Sequence, residues 1–143
     1  MTNHHLKTRV LIFEGNSTVL GVLRFLLEGE GYKVTAATNS QLAHQILDQP
    51  PDPIGLIILD VADGFKLLLE ITLEGMTVPV IFLSAEARPK ARVQWAGADD
   101  WVASPFHPEE FMARVAAVLR RTRNAPPDPT PQPSRSLPLQ VGV

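Results

Sequence analysis

Two kinds of segment alternate along this chain: unbroken apolar runs too short for helices, and stretches whose apolar residues recur every three or four positions. Val10–Phe13 is the first run, closed by Glu14-Gly15-Asn16. A helix should follow, capped by Asn16, Ser17 or Thr18 and carrying Val19, Val22, Leu23, Phe25 and Leu26 inward. Gly29 and Gly31 stop it. Tyr32–Ala37 then reads as a strand, and Ser40–Gln49 as a helix with Leu42, Ala43, Ile46 and Leu47 inward. The Pro50-Pro51-Asp52-Pro53 cluster breaks the chain.

Leu56–Leu59 is a third strand, ending at Asp60, and a helix is expected from about Asp63 to Glu74. Val78–Leu83 predicts a fourth strand with Ser84 at its end. A polar stretch containing Arg88 leads into a short fourth helix that ends at Ala96-Gly97. Trp101–Ala103 is a fifth strand, and Pro108 opens a last helix running to about Arg123. Strands apolar on both faces, alternating with helices, imply a parallel sheet covered on each side. Right-handed crossovers then favour the flavodoxin-like, doubly wound order 2-1-3-4-5. In such sheets a site forms beyond the carboxyl ends of the strands, which is where Glu14, Asp60 and Ser84 fall.

Composition narrows this further. The 143 residues are 45% hydrophobic and 20% charged, which suits one globular domain. A net charge of −2 gives no general attraction to nucleic acid or acidic membranes. The absence of cysteine removes disulfides and thiolate metal sites. No apolar run approaches the ~20 residues of a membrane span, so a cytoplasmic protein is expected. From residue 125 onward, six prolines in nineteen residues indicate an extended linker. The expected division is a folded domain over 1–123 and a tail over 124–143.

The strand ends carry a recognisable pattern. Val10-Leu11-Ile12-Phe13-Glu14, Leu56–Asp60, Val80-Ile81-Phe82-Leu83-Ser84-Ala85, Gly97-Ala98-Asp99-Asp100-Trp101 and Ser104-Pro105-Phe106 stand in order at the right places. Together they resemble the receiver domain of bacterial response regulators from about Thr8 to Arg123. The resemblance implies phosphoryl transfer to Asp60, with a magnesium ion and a lysine neutralising the incoming charge and Ser84 bonding a phosphoryl oxygen. Trp101 takes the place of the family's switch aromatic.

The match is imperfect at the chemistry. Gly15 stands where the family has a second acidic residue, and Ser104 stands where it has the lysine. The loop between Asp60 and Asp63-Gly64 is about four residues shorter than the family's, and it normally lends the metal a carbonyl. Glu14 and Asp60 are left to hold magnesium weakly or not at all, and no resident cofactor is expected. The pocket then has two readings. In one it does not signal through phosphorylation; in the other, Glu14, Asp60 and Ser84 still suffice for a phosphorelay with a sensor histidine kinase. Arg88 could replace the missing cation, or be an ordinary solvated loop residue.

The partner question rests on the last helix. In winged-helix (OmpR/PhoB-type) regulators, the face made by the fourth helix, fifth strand and fifth helix pairs two receivers. Here Arg92, Asp99, Asp100, Glu110, Arg114 and Arg121 stand at matching places, as a self-complementary face would require. The expectation is a homodimer and no enzymatic activity, with DNA contacted only through an output domain that lies beyond these residues. The tail Ser136–Val143 resembles the opening strand of such a domain. A flavodoxin-type cofactor site is the competing reading from another class, but Glu14 would repel a phosphate there.

Overall fold

The computed structural model describes residues 8–48, 53–84, 97–103 and 105–124. The expectations for the fourth helix, Arg88, Arg92, Ser104 and the proline-rich tail lie outside the described residues. Strands β1 (Arg9–Phe13), β2 (Lys33–Ala37), β3 (Ile54–Asp60), β4 (Val80–Ser84) and β5 (Asp100–Ala103) form one sheet. Helices α1 (Ser17–Gly29), α2 (Ser40–Leu47) and α3 (Val61–Leu73) follow the first three strands, and a last helix spans Pro108–Asn124. The strand order is 2-1-3-4-5 and every pairing is parallel, as the sequence implied.

Successive side chains of a strand point to opposite faces, and that divides the core in two. Leu11, Phe13, Ile57, Leu59 and Phe82 pack with Ala43 of α2 and Leu67, Leu68 and Ile71 of α3. Val10, Ile12, Leu56, Ile58 and Ile81 pack with Leu23 and Leu27 of α1 and Phe111, Val115 and Val118 of the last helix. Because both faces are covered, β3 and β4 have no polar face and read as continuous apolar runs.

Side-chain caps start two helices. Asn16 Oδ1 accepts from the Val19 N–H at 3.0 Å, and Asn39 Oδ1 accepts from the Leu42 N–H at 2.8 Å. The expected inward stripes need correction. Val22 and Phe25 of α1 and Leu42 of α2 are exposed, Phe25 at 78%. The buried stripe of α1 runs through Leu23 and Leu27, one turn apart, and Val22 and Phe25 lie to one side of it. Strand β3 also begins two residues before Leu56, and β4 begins at Val80 rather than Val78.

The largest departure lies after β3. Helix α3 starts at Val61, immediately after the last strand residue, rather than at Asp63. Its first turn folds back onto the strand so closely that a Cβ at Gly64 would stand 2.7 Å from the Leu59 Cβ. Only glycine lets helix and strand approach this far.

Candidate functional site

The pocket is built by the register of three adjacent strands. Phe13 pairs with Leu59, and Asp60 with Leu83. Glu14 and Ser84 are each the next residue along, so Glu14, Asp60 and Ser84 stand in a row beyond β1, β3 and β4. Glu14 is 8% exposed, Ser84 is 1% exposed, and Asp60 is half-buried. A buried carboxylate is costly unless hydrogen-bonded. Glu14 Oε2 accepts from the Asn16 N–H at 3.0 Å, which folds the β1–α1 turn over it. None of Glu14, Asp60 and Ser84 is without a partner.

Gly15 is exposed, and a Cβ there would meet nothing within 4 Å. An acidic side chain would fit, so the missing carboxylate reflects the sequence and not a steric block. Beyond Asp60 there is no loop at all, because α3 starts at the next residue.

These residues do not fit a magnesium ion. Such an ion takes an octahedron of oxygen ligands and gives up its water reluctantly. Two carboxylates stand at the strand ends, one with an oxygen already engaged by a backbone N–H. Among the described residues no three His, Cys, Asp or Glu side chains gather where an ion could sit.

The second cluster lies on β5 and the last helix. Arg114 Nη1 donates to both carboxylate oxygens of Asp100, at 2.9 and 3.1 Å, and its Nε donates to Glu110 Oε2 at 3.1 Å. The hydrogen bond it donates to Asp100 is the main cause of an Arg114 pKa raised above its ordinary value. Arg121 Nη2 donates to the Asp99 carbonyl at 3.4 Å. Asp99 does something different with its carboxylate, since Oδ2 accepts from the Val80 N–H at 2.7 Å. The structure thus brings Asp99, Asp100, Glu110, Arg114 and Arg121 together on one face, within one chain.

Trp101 is half-buried and packs on the core layer that contains Phe82, its partner in register across β4 and β5. Phe65 of α3 stacks on Phe82 with ring centroids 6.2 Å apart. His44 ties α2 to α3: its Nε2 lies 2.9 Å from Glu70 Oε1 and its Nδ1 3.8 Å from Glu74 Oε2. Nothing in the spacing of these residues announces the contact, which forms across two helices.

Residues 10–116 match the family described as the response regulator receiver domain. The chain belongs to that family. The receiver is 35% identical over 122 residues to the phosphate regulon transcriptional regulatory protein PhoB of Pseudomonas aeruginosa, covering 79% of this chain and 52% of that protein. It is 34% identical over 117 residues to the virulence transcriptional regulatory protein PhoP of Salmonella typhimurium, covering 79% and 52%. The chain spans about half the length of the curated relatives it matches. Among solved structures, a two-component response regulator of Clostridium difficile superposes with a TM-score of 0.71 at 25% identity, covering 82% of this receiver and 99% of that chain. Among the described residues no helix is long and apolar enough to cross a membrane.

Proposed function

We propose that this receiver acts as a regulatory interaction module. In this reading it pairs with a second copy through the face made by β5 and the last helix, and positions a DNA-binding output domain without phosphorylation of Asp60. The observation that carries the reading is the Arg114 cluster. Asp100, Glu110, Arg114 and Arg121 form a half-exposed patch of both signs, which a two-fold axis can set against itself. The exchange costs little, because Arg114 would give up a carboxylate of its own chain and gain one from the partner, and Arg121 would trade a backbone carbonyl for a carboxylate.

Support for independence from phosphate comes from the pocket. Gly15 and Ser104 remove a carboxylate and a cation together, so the resting charge balance is kept while the means of gathering magnesium and phosphate are lost. The relatives' printed names are those of transcriptional regulators, which supports an output domain that contacts DNA.

Solution mass tests the pairing. The parent protein should be dimeric at tens of micromolar, and Arg114→Glu/Arg121→Glu should be monomeric. A parent that stays monomeric sinks the proposal.

One observation favours a second reading, a working phosphoryl acceptor. Glu14, Asp60 and Ser84 remain side by side at the strand ends, with two of them buried. A sensor histidine kinase would then be the partner. Incubation with a small phosphoryl donor and magnesium, followed by intact mass, separates the readings. Added phosphoryl mass that disappears in Asp60→Asn would establish the second one.

A further inference from the structure

The junction between β3 and α3 gives Asp60 a job other than chemistry. Asp60 is the last residue of β3, paired with Leu83, and Val61 is the first residue of α3. Asp60 therefore occupies the position just before a helix, where Asp is among the preferred residues because its carboxylate accepts from the second or third helical N–H. The packing at the junction agrees: a Cβ at Gly64 would stand 2.7 Å from the Leu59 Cβ, so the end of the strand and the start of α3 lie close against each other.

We infer that Asp60 is the N-cap of α3, its carboxylate turned to the backbone N–H groups of Ala62 or Asp63. The helix follows the strand with no residue between them, and Asp60 holds the junction. An oxygen engaged by the helix is not presented for attack on a phosphoryl donor. The inference extends the reading that Asp60 does not signal, and each can fail without the other.

The test is a series at one position. Ser and Asn are also good caps, and Ala is a poor one. Asp60→Ser and Asp60→Asn should keep the melting temperature within about 2 °C of the parent, and Asp60→Ala should lower it by about 4 °C or more. In the parent, hydrogen exchange at the Ala62 and Asp63 amides should be slow, and Asp60→Ala should speed it at least tenfold while β1 amides are unaffected. This readout holds even if the variant is marginally stable. If Asp60 is instead a strained acid beside Glu14, removing its charge relieves repulsion, and Asp60→Ala and Asp60→Asn both melt higher. That outcome, or fast exchange at both parent amides, overturns the cap. Phosphoryl uptake at Asp60 with the cap series as expected would overturn only the phosphorylation-independent reading.

Discussion

Asp99 and Val80 hold each other by two hydrogen bonds: the Asp99 N–H donates to the Val80 carbonyl at 2.8 Å, and Asp99 Oδ2 accepts from the Val80 N–H at 2.7 Å. This ring fixes the entry of β5 to the entry of β4, just before the sheet pairing of Asp100 with Ile81 begins. Of the two adjacent acids, Asp99 thus serves the fold with its carboxylate and Asp100 serves the charged face.

Asp99→Ala should therefore behave as a stability variant. It leaves a half-buried N–H without its partner, which costs about 1–3 kcal/mol. Asp99→Asn keeps an accepting oxygen and should recover most of the loss. Urea denaturation checks both through the midpoint at constant slope. Dimer mass should be unchanged in Asp99→Asn.

Arg114 should show the opposite profile. Its side chain is 40% exposed and its partners Asp100 and Glu110 are 19% and 47% exposed, so solvent screens the pairs. Arg114→Ala should change monomer stability by less than about 1 kcal/mol. It should nevertheless weaken dimerisation measurably. The sign of the pH effect follows from the raised pKa of the guanidinium. Its contribution is complete below the ordinary arginine range and is lost only as pH rises past the raised value. Sedimentation at about pH 7 and about pH 10 should accordingly give the same contribution from Arg114.

The sheet was legible in the sequence because a strand buried on both faces needs an unbroken apolar run, and Val10–Phe13, Leu56–Leu59 and Val80–Leu83 are such runs. The pocket row was legible for the same reason, since polar residues at the ends of these runs must emerge on one edge. The inward face of α1 was harder to read. Val22 and Phe25 are as apolar as Leu23 and Leu27, and only packing against the sheet selects between them. The Asp99–Val80 ring and the His44–Glu70 contact join residues 19 and 26 positions apart, where no local pattern reports them. Helix α3 starts two residues earlier than expected, because no loop residue separates it from Asp60.

Gly64 offers a sharp steric test of that junction. Gly64→Ala places a methyl 2.7 Å from the Leu59 Cβ and within 3.4 Å of two further Leu59 atoms. Overpacking of this kind costs about 1–3 kcal/mol, although alanine is the better helix former. Combining it with Leu59→Gly should cost less than the sum of the two single losses, because only removal of the Leu59 Cβ takes away the closest contact. A double-mutant cycle by thermal denaturation measures the coupling. Strict additivity would mean that the strand and the first turn of α3 do not press on each other.

The junction also predicts what restoring the pocket requires. Gly15→Asp should be nearly neutral, within about 0.5 kcal/mol, since nothing lies within 4 Å of the new Cβ. Adding Ser104→Lys returns the cation and keeps the charge balance. If carboxylate and ammonium were the whole deficit, this double variant would take up a phosphoryl group from a small donor with magnesium. It should not do so, because Asp60 still leads straight into α3 and no loop carbonyl can turn toward a metal. Uptake should appear only when a loop of about four residues is also inserted after Asp60, which frees the carboxylate from the helix start. Intact mass on the double and the loop-extended variants decides the matter. A phosphorylated double variant would place the whole defect in the two side chains and none in the backbone.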